Sequence, residues 1–260
     1  MSDNPQARII AVICARNESA TIADVIRTFR APECRAWIEG VVVVNDHSTD
    51  DTVRVAQNAG AVVITPPKHR GKGYAMKCGY TYALNHDATH VFFADADLQG
   101  FTTDHIKRMV SIATAPATKE RPTTDMVCGL RDYGPWLNWL QHLAPTITGE
   151  RIVSARLLRS GLIPGFAWDG YATETALGVV CWYWYFVARD VMLKGHGIVL
   201  RHQKAERSWW GAARGYANLV RTVLRTMIFT AWWCTQRELS PTTPTRKTER
   251  VQEMEQPRAW

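Results

Sequence analysis

Apolar and polar positions in the first half of the chain alternate between two periods. The run ARIIAVICA (7–15) is continuous and rich in β-branched residues, as in a strand buried on both faces. In RNESATIADVIRTFR, Ser19 offers an N-cap, and Ile22, Val25, Ile26 and Phe29 recur at helical spacing. The plan then repeats. Residues 41–44 read as a strand and NDHS as a loop; Ser48 with Asp51 reads as a capping-box-like helix start, and Gly60 as the helix end. AVVITP predicts a third strand, stopped by Pro66 and Pro67. The basic loop KHRGKG leads into a helix, YAMKCGYTYALNH, with Met76, Tyr80, Ala83 and Leu84 on one side. HVFFADAD predicts a fourth strand, TTDHIKRMVSIAT an amphipathic helix through Ile106, Met109, Val110 and Ala113, and DMVCGLR one more strand.

This alternation over residues 7–130 predicts an α/β fold with a doubly wound, mostly parallel sheet flanked by helices. Ligands of such sheets lie beyond the C-terminal ends of the strands. The polar strand ends ARNE, NDHS, PPKHRGKG and DADLQG should therefore line one edge. After residue 130 the rhythm changes, and residues 131–150 show no clear period. GERIVSARLLRSG predicts a short helix ending at Gly161, IPGFAWDGYATE a loop, residues 175–190 an aromatic helix, and GIVLRH a short strand. RSWWGAARGYANLVRTVLRTMIFTAWW reads as a basic, aromatic helical segment. The polar, proline-containing tail 240–260 predicts disorder.

At 260 residues and 46% hydrophobic content, the chain can bury a sizeable core. Its net charge of +7 favours anionic partners: nucleotide phosphates, acidic lipid or nucleic acid. The charge is not gathered in a tract and no nucleic-acid-binding module is visible, which disfavours the last. The six cysteines form no CxxC pair and no zinc-ligand spacing, as expected of reduced thiols in the cytoplasm. MSDNPQAR is too polar for a secretory signal. ALGVVCWYWYFVA (176–188) is shorter than the roughly 18–20 residues of a membrane span, so no polytopic membrane domain is expected.

No GxGxxG follows the first strand and no GxxxxGK[ST] occurs, which argues against a dinucleotide-binding dehydrogenase and a P-loop enzyme. Lys72 stands instead between Gly71 and Gly73, where backbone can approach a ligand closely and an ammonium can meet a phosphate or a base. Glu18 and Asp46 can accept hydrogen bonds from a nucleobase or ribose, or serve as loop residues. The sharpest signal is DAD. Asp95 and Asp97 alternate on an extended backbone, so one can reach a ribose while the other binds a metal. Mg²⁺ suits one or two carboxylates plus phosphate oxygens and waters, and as a Lewis acid it stabilises a departing nucleoside diphosphate.

ICARNESATI, VVVNDHSTDDT, HRGKGYAMKCG and FFADADLQGF resemble the four successive motifs of GT-A-fold nucleotide-diphospho-sugar glycosyltransferases of the family-2-like group. ITGERIVSARLL and DGYATETALG are similar to acceptor-side segments of bacterial members, including polyprenyl-phosphate glycosyltransferases and glucosyl-3-phosphoglycerate synthases. The resemblance implies a Rossmann-like GT-A domain whose residues 1–130 bind the nucleotide-sugar. Residues 131–239 would form a helical acceptor-side half, with 240–260 as a tail. It implies that Glu18 and Asp46 contact the nucleoside, Lys72 the base or diphosphate, and Asp95 the ribose or sugar. Ala15, Gly71 and Ala96 would line the same pocket. Asp97 would ligate Mg²⁺ or Mn²⁺, with His202 of VLRHQK as a second ligand. Thr148, Gly149 and Glu150 fall on the acceptor side. Glu174 would be a catalytic base there, or a carboxylate at a helix start. Where the family often has Asp-Asp, this chain has Asn45-Asp46.

The implied activity is transfer of a sugar from an NDP-sugar, UDP-glucose or GDP-mannose, to a polyprenyl phosphate or a small hydroxylated acceptor. The alternatives are a sugar-phosphate nucleotidyltransferase, disfavoured by the absence of glycine in CARNESAT, and a non-catalytic sugar-nucleotide-binding module. The basic aromatic segment with Arg214, Arg221 and Arg225 and with Trp209, Trp210, Trp232 and Trp233 has three readings: core, homodimer interface, or contact with the inner face of the membrane.

Overall fold

The computed structural model describes residues 7–118, 121–131, 149–168, 172–195, 197–198 and 209–238; for 197–198 and 209–220 it describes backbone only. The first half follows the predicted alternation: β1 (Ile9–Ala15), α1 (Ile22–Arg30), β2 (Ile38–Asn45), α2 (Thr52–Asn58), β3 (Val62–Ile64), α3 (Lys72–Asn85) and β4 (His90–Asp95). Then come β5 (Leu98–Gln99), α4 (Thr103–Ala113) and β6 (Met126–Arg131). The second half adds β7 (Arg151–Ser154), α5 (Ala155–Arg159), α6 (Thr173–Trp184), β8 (Ala188–Leu193), β9 (Gly197–Ile198) and α7 (Trp209–Glu238).

The main sheet has seven strands in the order β3-β2-β1-β4-β7-β6-β8. β1 runs parallel to β2 and to β4, and β2 parallel to β3. β7 is antiparallel to both β4 and β6, and β8 returns parallel to β6. A small antiparallel pair joins β5 to β9. Period-two alternation sorts β1 onto two cores: Ile9, Ala11, Ile13 and Ala15 pack on one face, and Ile10, Val12 and Cys14 on the other. On the first face Phe29 of α1 meets Phe92 of β4 edge-on at 4.9 Å, a geometry aromatic quadrupoles favour. On the second face α3 lies close enough to β1 that a β-carbon on Gly79 would collide with Val12.

Several sequence expectations need correction. Ser19 does not cap α1: Thr21 holds that position, and the Ser19 N–H donates to Asp50 instead (3.2 Å). Asp51 precedes α2 without a side-chain cap bond, and Ser48 joins two loops rather than a capping box. Lys72 is not in the loop but is the first residue of α3. GERIVSARLLRSG is not one helix. Its first part is β7, wedged between β4 and β6, and only residues from Ala155 are helical, capped by the Ser154 side chain. Charged Arg151 concealed the strand, because it is wholly buried inside the sheet. The aromatic helix stops at Trp184, where Tyr185 takes a left-handed conformation (φ 58°), and ARDVML forms the unpredicted edge strand β8. Of GIVLRH, only 197–198 is described; 132–148 and the tail 240–260 lie outside the described residues.

Gly79→Ala should lower stability by about 1–3 kcal/mol, because α3 must lift off β1 to admit the methyl group. Urea unfolding of the two proteins checks this, and an unchanged midpoint would mean the contact yields without cost.

Candidate active site

The parallel strands end together. Ala15 of β1 pairs in register with Asn45 of β2, Cys14 with Asp95 of β4, and Val44 with Ile64 of β3. The four polar strand ends thus share one edge, as anticipated. Two polar constellations stand on it.

The first lies over β4. The Lys72 ammonium reaches across from the start of α3, 2.6 Å from Asp95 Oδ1 and 2.8 Å from Glu174 Oε1. Gly71 caps α3 with a φ of 86°, which favours glycine and aims the next residue inward. Arg131, the last residue of β6, donates through Nη2 to Asp95 Oδ2 (3.1 Å) and to Glu150 Oε1 (2.7 Å). Lys72, Asp95, Arg131, Glu150 and Glu174 therefore form one connected cluster of two cations and three carboxylates. Burial penalises the Asp95 carboxylate, but Lys72 and Arg131 overcome the penalty and hold it well below the usual carboxylate range. Burial likewise works against the Lys72 ammonium, and Asp95 and Glu174 more than compensate, so it stays protonated. Beneath them burial pushes the Cys14 thiol far up, which makes it a floor residue and not a nucleophile.

Backbone from the second half of the chain also fixes the cluster. Gly149 lies so close to Asp95 that a β-carbon would fall on the carboxylate. Buried Arg151 donates to the Glu174 carbonyl (3.1 Å), which pins the first turn of α6. Glu174 is thus both a helix-start carboxylate and a partner of Lys72, while Glu150 is entirely buried beneath Arg131. Asp97 follows Ala96 in the turn after β4 and is partly exposed at the rim.

The second constellation lies over β1 and β2. The Asp46 N–H donates to the Ala15 carbonyl (2.9 Å), and the Asp46 carboxylate meets His69 Nδ1 at 2.8 Å. Arg16 Nη1 lies 2.7 Å from His69 Nε2. A guanidinium only donates, so Nε2 accepts and Nδ1 carries the proton given to Asp46. Asn45 turns elsewhere, accepting from the Ser48 N–H (2.9 Å) and donating to Thr65 (3.2 Å). Asp46 is therefore the member of the Asn45-Asp46 pair whose carboxylate meets His69. The Glu18 backbone N–H donates to Thr52 (2.9 Å), and its carbonyl receives the N–H groups of Thr21 and Ile22. Thr148 and His202 lie outside the described residues. Sequence reading passed over Arg131, His69, Arg16 and Arg151. Arg131 had a signal, since it closes a buried strand with a charge just as Asp95 does; His69 and Arg16 had none beyond their places in polar loops.

A family model described as Glycosyl transferase family 2 matches residues 10–172. The chain is similar to 4,4'-diaponeurosporenoate glycosyltransferase of Staphylococcus aureus strain USA300, 31% identical over 105 residues, 38% of this chain and 26% of that protein. The bovine strain RF122/ET3-1 protein is 30% identical over the same length. The chain thus spans about a quarter of the curated relatives it matches. Among solved structures, glucosyl-3-phosphoglycerate synthase from Mycobacterium tuberculosis with Mn²⁺, UDP and phosphoglyceric acid superposes with a TM-score of 0.67 at 22% identity, covering 86% of this chain and 78% of that one. The same enzyme with Mg²⁺ and UDP gives 0.66, covering 86% and 79%. At this identity the likeness establishes the fold: the sheet is the expected GT-A, Rossmann-like arrangement.

Lys72→Met should cost about 3–5 kcal/mol at about pH 7.5, because Asp95 and Glu174 then face each other without their shared cation. One carboxylate's folded-state affinity for a proton rises in that variant. Its penalty is therefore relieved as pH falls, and the loss should shrink toward about pH 5. The parent behaves oppositely, since a depressed Asp95 stabilises above about pH 4 and loses that contribution as pH falls further. Urea unfolding at both pH values checks this; an equal loss at both would show that the carboxylates do not interact.

Proposed function

Because the chain belongs to glycosyl transferase family 2, we propose that it transfers a sugar from an NDP-sugar to a polyprenyl phosphate or a small hydroxylated acceptor, with UDP-glucose or GDP-mannose as donor. The observation that carries this reading is the Lys72–Asp95–Arg131 arrangement at the sheet's C-terminal edge, immediately before Asp97. It supplies a half-buried, charged ammonium for a diphosphate and a fixed carboxylate for ribose or sugar hydroxyls. The Mn²⁺, Mg²⁺, UDP and phosphoglyceric acid complexes of the glucosyl-3-phosphoglycerate synthase support a metal, a uridine nucleotide and a small phosphorylated acceptor as candidates. The diaponeurosporenoate enzyme's name supports a carboxylate-bearing lipid as a further acceptor class.

The donor set fits a hard divalent cation. Among the described residues no group of three potential metal ligands exists. One or two carboxylates suffice for Mg²⁺ or Mn²⁺ when a diphosphate and waters complete the shell, and Asp97 provides one. His202 is the proposed second ligand. When bound, the cation would neutralise the diphosphate and stabilise the charge on the departing nucleoside diphosphate.

The chain's own residues do the rest. Asp46, oriented by the His69 N–H, presents an acceptor to a base N–H, and Glu18 serves the nucleoside from the neighbouring loop. Ala15, Gly71 and Ala96 let the nucleotide approach the strand ends. An incoming diphosphate competes with Asp95 and Glu174 for Lys72. As the ammonium turns to phosphate, Glu174 becomes available to take the acceptor's hydroxyl proton. The contact of Gly149 with Asp95 supports an acceptor position next to the donor sugar, with Thr148, its neighbour in sequence, assigned to the same role.

Asp97→Asn should lower Mn²⁺-dependent release of NDP from the preferred NDP-sugar about 10²–10³-fold with little change in melting temperature. A panel of UDP- and GDP-sugars with and without Mn²⁺ measures it. Unchanged turnover and metal dependence in the variant would remove Asp97 from the site. Pyrophosphate release from a nucleoside triphosphate would overturn the transferase reading.

A further inference from the structure

Helix α7 carries its apolar residues on the outside. Its inward stripe is Thr226, Thr230 and Cys234, exposed 5%, 0% and 0%. Half a turn away, Leu224, Ile228 and Trp232 form an i, i+4, i+8 ridge exposed 56%, 69% and 58%, with Met227 and Phe229 also exposed. A helix that packs small, polar side chains inward and large hydrophobic ones outward is inverted relative to a helix that only closes a core. Exposed apolar residues in a contiguous stripe mark a contact surface.

The charges on the same face are all of one sign. Arg221 and Arg225 are exposed on this side of the helix. The guanidinium of Arg225 lies over the Phe229 ring, 5.3 Å from its centre, so the stem follows the apolar surface while the charge stays at its margin. No Asp or Glu occurs between residues 209 and 237, and the final Glu238 is engaged by the Tyr183 hydroxyl. A second copy docking by two-fold symmetry would bring the same cations to its partner with no acidic counterpart on this face. An anionic lipid surface answers both features: headgroups for the arginines, and the headgroup–acyl boundary for Leu224, Ile228 and Trp232. Among the described residues no helix is long and apolar enough to cross a membrane, so contact through α7 is in the plane of the surface.

We propose that the outer face of α7 docks this protein onto anionic membrane surfaces. The inference stands apart from the donor chemistry, and its test needs no turnover. The full chain is floated with vesicles of phosphatidylcholine alone, and with vesicles of equal parts phosphatidylcholine and phosphatidylglycerol. Recovery with the anionic vesicles only, falling as salt rises, is expected. Arg221→Ala with Arg225→Ala should weaken partitioning about tenfold or more, and Ile228→Ser with Trp232→Ser should weaken it at least as much. All four side chains are exposed, so melting temperatures should match the parent's. Failure to bind either vesicle, or equal binding to both, would overturn the proposal using the unaltered chain alone. So would dimers in sedimentation equilibrium that Ile228→Glu dissociates, which would make the face an interface between copies.

Discussion

The contact on which the site depends is the Lys72 ammonium held between Asp95 and Glu174. It joins the start of α3, the end of β4 and the first turn of α6, three elements from both halves of the chain. Removing a charge of this kind from water is expensive, and only near-ideal pairing repays it. Here each partner is fixed independently. Gly71 sets the start of α3, Arg131 and the Gly149 backbone confine Asp95, and Arg151 holds the α6 turn that presents Glu174. Buried Arg151, which donates to the Glu174 carbonyl, stands beside the cluster as a further cation. Lys72 is the one cation shared by Asp95 and Glu174, so any anion that drew it away would leave Asp95 to Arg131 and free the Glu174 carboxylate from its ammonium partner.

Much of this was legible from sequence, and the boundary between what was and what was not has a physical cause. In a parallel sheet every strand end faces the same way, so four polar segments after four apolar runs must share an edge whatever the tertiary details. Local pattern thus located Lys72, Asp46, Asp95 and Asp97. It failed at β7, where the strand inserts antiparallel between β4 and β6, and a wholly buried Arg151 breaks the hydrophobic signature of a central strand. It failed again at β8, whose half-exposed residues continue directly from an aromatic helix without glycine or proline between them. Arg131 carried the strand-end signal that marks Asp95, whereas Arg151 carried none. A charge that is buried because its partners come from distant segments looks, in isolation, like a charge at a surface.

The second constellation shows what one substitution of side chain can settle. Asn45 donates to Thr65 while accepting from the Ser48 N–H, and a carboxylate has no proton for the first of these bonds. An amide at this position therefore braces the loop, while the neighbouring Asp46 carboxylate meets His69. Arg16 then forces the His69 ring to carry its proton on the Asp46 side. The polarity of the whole chain of bonds follows from one group, a guanidinium that has only donors. Asp46 accepts one hydrogen bond from the His69 ring, and a carboxylate has lone pairs for others. If a nucleobase meets this carboxylate, as proposed, an edge offering an N–H satisfies it, whereas an edge presenting only a ring-nitrogen lone pair sets acceptor against acceptor. On the proposed reading, selection at this end would rest on hydrogen-bond polarity, whereas the Lys72 cluster works through charge.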